Sequence, residues 1–208
     1  MKVLQILPQL NIGGVERGTL DLSKALIQKG HESFVISGGG ILVDELIQSG
    51  AKHYEIPVHI KSLRTLSLAK NLSKTISSID PDIVHVRSRM PAWVNFRAFK
   101  MLQKKPLLIS TFHGLYSFPI YSKVMSFVDH SIAISKTVEK YILENYKLDK
   151  NHITVIPRGC DPIEFNNDPI NPDDKANIIN EFPQIVGKKV LTIPGRITKW
   201  KGVAEFIE

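Results

Sequence analysis

The chain has 208 residues, 43% apolar and 23% charged, the composition of an ordinary folded domain with length left over for part of a second. Its 27 basic and 20 acidic residues give a net charge of +7, which suits phosphates or acidic lipid headgroups. No block of five basic residues and no alternation of aromatic with basic positions supports a nucleic-acid partner. One cysteine, Cys160, excludes an internal disulfide and fits a reducing compartment. No apolar run reaches the ~18 residues of a bilayer span, and Met1 to Pro8 is too short for a secretion signal. The expected location is cytoplasmic, with peripheral contact at the inner face of the membrane.

In chain order, short apolar runs alternate with helical patterns. Val3 to Leu7 is a predicted strand. Val15 to Lys29 is a helix with Gly18, Leu22, Ala25 and Leu26 on one face, closed by Gly30. His31 to Ser37 is a strand, Ile41 to Gln48 a short helix, and Lys52 to Ile56 a weaker strand. Leu66 to Ile79 is helical, broken by Asp80-Pro81; Ile83 to Val86 is a strand. Pro91 suits the first turn of a helix running to Leu102. Strand Leu107 to Thr111 leads into Phe112-His113-Gly114, followed by a helix over Pro119 to Val128 and a strand over Ser131 to Ile134. Ser135 is the expected N-cap of a helix over Lys136 to Asn145 that buries Val138, Tyr141 and Ile142. Ile153 to Ile156 is the last strand of this unit. The strands are apolar enough for both faces of a parallel sheet to be buried. The pattern predicts an α/β fold with a Rossmann-like, doubly wound parallel sheet over residues 1–160.

Residues 161–172, rich in Pro, Asp and Asn, read as a linker. Residues 173–208 read as the start of a further domain: a helix over Asp174 to Phe182, a turn at Gly187, a strand over Lys189 to Ile193, and a helical pattern at Val203, Phe206 and Ile207. One strand and a turn of helix cannot close a core of their own, so the second domain is expected to be incomplete here.

Three places could carry chemistry. Gly13 and Gly14, followed by Glu16, lie between the first strand and first helix, at the carboxyl edge where doubly wound sheets bind ligands. Free N–H groups at a helix start favour anions, although the glycines also suit a tight turn. The spacing is not the dinucleotide fingerprint. His113 follows a strand at the same edge; it could donate to a sugar hydroxyl or phosphate, or be structural. Arg87 and Arg89 follow another strand and either face an anion or are solvated, while His85 within that strand reads as a core residue. Gly195 to Gly202 places Arg196 and Lys201 in a strand-to-helix loop, which is either a diphosphate site or a basic turn. The seven histidines show no metal-ligand spacing, and no Ser elbow or Cys–His signature is present.

The segments KVLQILPQLNIGGVERGTLDLSKALIQKGHE, ITVIPRGCDPIEF and LTIPGRITKWKG, in that order and spacing, resemble the opening, inter-domain crossing and G-R-x-x-x-x-K-G segment of retaining GT-B glycosyltransferases of glycosyltransferase family 4. The resemblance implies the N-terminal, acceptor-side domain of a GT-B fold with a truncated second domain. It implies sugar transfer from a UDP- or GDP-sugar, with retention and without a bound cofactor or metal, to a glycan or lipid-linked acceptor. Cell-envelope polysaccharide or lipopolysaccharide synthesis is the expected setting. By the same resemblance His113 is the catalytic-site residue beside the donor sugar. Gly13, Gly14, Arg196 and Lys201 hold the donor phosphates, and Glu16, Arg87 and Arg89 lie on the acceptor side. The sequence departs from the family at Arg158, where Asn is usual, at Cys160, where Val is common, and at Arg87, where some members carry His. The C-terminal acidic motif has no counterpart here. Alternatives are a non-catalytic module that binds acceptor or a membrane surface, and an oxidoreductase, which the absent dinucleotide fingerprint disfavours.

Overall fold

The computed structural model describes residues 1–60, 63–116, 119–160, 162, 168–195, 197–198 and 201–207. Two compact units emerge, Met1–Asp161 and Pro162–Glu208.

The first unit is built on seven parallel strands: β1 (Lys2–Ile6), β2 (Glu32–Ser37), β3 (Lys52–Glu55), β4 (Ile83–Val86), β5 (Leu107–Phe112), β6 (His130–Ala133) and β7 (Ile153–Val155), in the order β3-β2-β1-β4-β5-β6-β7. The order reverses between β1 and β4, so the crevice of a doubly wound sheet opens at their carboxyl ends. The register sets Gln5 beside Val35 and His85, and Leu4 beside Phe34 and Val84. Alternate residues therefore face opposite sides.

On one side Leu4, Ile6, Phe34, Ile36, Val84, Val86 and Phe112 join a large cluster with α3 (Ala69–Ile79), α4 (Arg89–Phe99) and α6 (Lys136–Tyr146). On the other, α1 (Gly14–Gln28) and α2 (Val43–Gln48) close a smaller cluster of Leu7, Leu10, Leu20, Val35, Leu46 and Ala51. The expectation of a sheet apolar on both faces fails on the α1 side. Gln5, Ser33, Ser37, His85 and Thr111 are buried there, each with a partner. Gln5 Nε2 donates to Thr19 O (3.1 Å) and Ser23 Oγ (2.9 Å), and Ser33 Oγ lies 3.0 Å from Ser23 Oγ. Ser37 Oγ lies 2.8 Å from His53 Nε2, and Thr111 Oγ1 meets the His85 ring.

For the same reason the buried stripe of α1 is Thr19, Leu20 and Ser23 rather than Gly18, Leu22, Ala25 and Leu26, which are only partly covered. Apolar periodicity cannot find a helix face that is buried through hydrogen bonds. Ser135 caps α6 as expected, its Oγ accepting from Val138 N at 3.2 Å. Asp80 closes α3 in the left-handed region, φ 46°. The segment after β5, expected as one helix, forms a short α5 (Pro119–Ser122) and a 3-10 turn (Lys123–Ser126).

In the second unit α7 (Pro172–Glu181) is capped by Asn171, whose Oδ1 accepts from Asp173 N at 2.9 Å, and α8 spans Val203–Ile207. The expected strand Lys189–Ile193 does not form. Val190, Leu191 and Ile193 stand exposed, and an extended segment without a hydrogen-bonding neighbour is not a strand.

Candidate functional site

The polar residues of the α1 side lead outward to a cationic cluster at the carboxyl edge. Gln5, on β1, reaches the interior of α1 through its amide nitrogen and uses its oxygen to accept from Arg87 Nη1 at 2.7 Å. Arg87 stands one residue beyond β4, its N–H bonded to Ile6 O at 2.9 Å. It is only 6% exposed, and its Nε has no partner among the described residues. Of the two readings left open for Arg87, the solvated loop charge is excluded.

The chain beyond β7 returns to α1 with Arg158. A Cβ built on Gly14 would lie 2.6 Å from Arg158 Nη1, and one on Gly18 would lie 2.8 Å from Arg158 Nη2 and 3.3 Å from Arg87 Nη2. The bare flank of the first turns of α1 is thus the floor on which two guanidiniums lie side by side. Among the described residues neither forms an ion pair with a carboxylate. Burial and the neighbouring Arg158 push Arg87 down to about 10, against the weaker opposite pull of Glu16 and Asp21.

His113 follows β5 at the same edge. Its ring is largely buried, and neither Nδ1 nor Nε2 has a hydrogen-bond partner among the described residues. Desolvation, reinforced by Arg87 and Arg158, pushes it down to about 3, so the imidazole is neutral at physiological pH. Beneath it His85 is the core residue its position suggested: 3% exposed, its Nε2 2.7 Å from Thr111 Oγ1. Burial first, then Arg87 and His113, hold it well below the ordinary histidine range.

Gly13 and Gly14 open α1 at this edge, with Arg17 N bonded to Gly13 O at 2.9 Å. The Glu16 carboxylate folds back over Gly13, where an added Cβ would lie 2.3 Å from its Oε2. Arg89 stands apart from the Arg87–Arg158 pair. Its guanidinium stacks on Tyr116 (4.9 Å to the ring centre) and Tyr121 (5.4 Å), with Ser122 Oγ 3.4 Å from Nη1. Lys201 is exposed in the second unit and engaged in an interaction of its own. Arg196 lies outside the described residues. The structure therefore brings together Gly13, Gly14, Glu16, Arg87 and His113. Arg158 joins them without having been expected as a site residue: its signal in the sequence was the departure from the family pattern, and Gly14 and Gly18, one helical turn apart, mark where it lies. Among the described residues no three His, Cys, Asp or Glu side chains gather as a metal nest.

The model of Glycosyltransferase Family 4 matches residues 12–164. One of the subunits of phosphatidylinositol N-acetylglucosaminyltransferase from Homo sapiens is 25% identical over 187 residues, covering 81% of this chain and 38% of that protein. An uncharacterized glycosyltransferase from Methanocaldococcus jannaschii is 31% identical over 174 residues, 75% of this chain and 41% of that protein. Among solved structures, a glycosyltransferase from Rickettsia africae ESF-5 matches with a TM-score of 0.79 and 35% identity over 97% of this chain and 54% of its own. Sucrose-phosphate synthase from Thermosynechococcus elongatus, at 15% identity and a TM-score of 0.67 over 85% of this chain and 52% of its own, has the same fold. The chain spans about half or less of the length of these relatives. With a family model matching residues 12–164 and a relative 31% identical over 75% of this chain, the chain belongs to Glycosyltransferase Family 4.

Proposed function

We propose that this chain supplies the acceptor-side part of an enzyme that transfers a sugar from a UDP- or GDP-sugar, with retention of configuration, to a glycan or lipid-linked acceptor. The observation that carries this reading is the cluster at the switch between β1 and β4: a helix N-terminus, two guanidiniums without ion-pair partners among the described residues, and a neutral histidine with ring nitrogens unbonded among the described residues. Glycosyl transfer needs positive charge for substrate phosphates and hydrogen-bonding groups for sugar hydroxyls, and the residues gathered here supply both.

In this reading His113 lies beside the donor sugar. A neutral imidazole donates through one ring nitrogen and accepts through the other, and burial keeps it neutral where a cation would oppose the positive charge that develops on the sugar. The backbone N–H groups at Gly13 and Gly14 take the diphosphate. In the transfer the bond from the anomeric carbon to the phosphate oxygen breaks, a bond to an acceptor hydroxyl oxygen forms, and the hydroxyl proton leaves with the departing diphosphate. Every group assigned to this step is a side chain or backbone amide, with no resident cofactor or metal. Glu16, Arg87 and Arg89 lie toward the acceptor.

The human relative, named for N-acetylglucosamine transfer to phosphatidylinositol, supports a lipid-linked acceptor; cell-envelope or lipopolysaccharide synthesis is the setting that fits the sequence. A membrane-surface role has its own support: Ile12, Leu115 and Ile120 stand 86%, 58% and 90% exposed on segments that follow β1 and β5.

The test is sugar transfer by the whole protein, with UDP- and GDP-sugars offered against phospholipid and glycan acceptors. Product with retained anomeric configuration is expected, falling at least a hundredfold in His113→Ala. Absence of both transfer and donor hydrolysis with every donor would overturn the enzymatic reading, and vesicle binding without turnover would favour the membrane-surface module.

A further inference from the structure

We propose that Arg87 and Arg158, with the His113 ring beside them, form a subsite for one phosphate group of a substrate, an assignment that rests on the transferase reading only in the identity of the molecule carrying the phosphate. The geometry comes from three separate elements. Arg87 is held by Gln5 at the end of β4, with its Nε unpartnered and the residue 6% exposed. Arg158 comes from the segment after β7, and both guanidiniums reach within 3.3 Å of the point a Gly18 Cβ would occupy. His113 comes from the end of β5 with both ring nitrogens buried and unbonded.

No described carboxylate of the first unit forms an ion pair with either guanidinium, and the longer-range pull of Glu16 and Asp21 on Arg87 is weaker than the opposing push of burial and Arg158. Asp21 lies 3.5 Å from Arg17, and Glu16 folds over Gly13. Arg87 is buried while Arg158 is exposed, so a desolvated cation meets a second, solvent-facing one, an arrangement that an anion bridging the two would relieve. The donors present are two forked guanidiniums, one imidazole N–H, and the amides that open α1. That number exceeds what the two oxygens of a carboxylate accept and matches the three free oxygens of a phosphate ester. Gly14 and Gly18, lacking side chains, leave room on the helix flank for the two guanidiniums to lie together.

The phosphate could belong to the donor diphosphate or to a phosphorylated acceptor, and the arms of one experiment separate these. The 208-residue chain is titrated with inorganic phosphate, glycerol phosphate and UDP, followed by calorimetry and by the His113 ring signals in NMR. Saturable phosphate binding is expected, at least tenfold weaker in Arg158→Asn. It should also weaken in Gly14→Ala, whose methyl displaces the Arg158 guanidinium, and stay unchanged in the surface variant Lys150→Gln. Acetate should bind more weakly than phosphate. Bound phosphate should raise the midpoint of the His113 titration in the wild type but not in Arg158→Asn. UDP competing with phosphate and sharing the Arg158 dependence assigns the subsite to the donor; glycerol phosphate binding that UDP does not displace assigns it to the acceptor. Absence of saturable binding by all three probes, or phosphate binding that is equal in wild type and Arg158→Asn, overturns the proposal. No readout uses sugar transfer, so an enzyme that turns over without binding phosphate here would refute this subsite and leave the transferase reading standing.

Discussion

At the scale of single residues, the site is defined by groups whose charge the fold restrains. His113 titrates at about 3 in the folded chain against about 6.5 when unfolded. Above pH 6.5 both states hold it neutral and it contributes nothing. As pH falls below 6.5 the unfolded chain binds a proton that the folded one does not, and stability drops until pH reaches about 3. Each pH unit in that window should cost about 1.4 kcal/mol for this group alone, and His85 acts with the same sign. Urea unfolding from pH 7 to pH 4 should show this slope, and His113→Asn should make it shallower; an unchanged slope would mean that the ring is not held neutral. Gln5 offers a second check. It is fully buried and, among the described residues, is the one hydrogen-bond partner of the Arg87 guanidinium. Gln5→Leu keeps the volume but strands the buried Arg87 guanidinium, so unfolding free energy should fall by about 3 kcal/mol, while the Ser23 hydroxyl keeps Thr19 O and Ser33 Oγ. A loss below about 1 kcal/mol would mean that water satisfies Arg87 without Gln5.

At the scale of elements, apolar runs were enough to place all seven strands, since parallel strands buried on both sides must be largely apolar somewhere along their length. The bounds of β4 match the expectation residue for residue, and the Ser135 cap was legible because capping is local chemistry. Burial by polar contact was not legible. Thr19, Ser23, Gln5 and Arg87 carry no apolar signature, and their burial depends on a register between β1, β4 and α1 that only the folded sheet sets. The Arg158 contribution lay further out of reach, since it joins residues 14 and 158 across the unit. One glycine in the loop after β2 shows how tightly that edge is built. Gly40 has φ +140°, and a Cβ there would sit 2.4 Å from the backbone carbonyl carbon and oxygen of Leu10. Gly40→Ala must therefore move the loop after β1 or distort its own, and should destabilise by about 2–3 kcal/mol. Gly114, whose Cβ would meet nothing within 4 Å, should accept alanine within about 0.5 kcal/mol. Equal effects in paired thermal melts would refute this account of the edge.

At the scale of the whole chain, the residues that make a core and those that do not are divided along the sequence. Every buried apolar side chain from Val3 to Ile153 lies in Met1–Asp161, whereas no described residue of Pro162–Glu208 is buried. Leu191, Ile197 and Ile207 are 84%, 88% and 79% exposed. Apolar residues left in water supply none of the transfer free energy, about 25 cal/mol per Å², that offsets chain entropy. The cooperative unfolding unit should then be the first unit alone. A chain ending at Asp161 is expected to unfold with the same denaturant midpoint and m-value as the 208-residue chain, because m scales with the surface exposed on unfolding. Hydrogen exchange should agree, with amides over 189–194 exchanging freely while those of β1, β4 and β5 exchange only through global opening. A lower midpoint for the shortened chain would show that residues 162–208 stabilise the sheet. That result would matter for the site as well, because Arg158 stands only three residues before the cut, and the phosphate affinity of the shortened chain would then report whether the Arg158 guanidinium depends on residues 162–208 for its place.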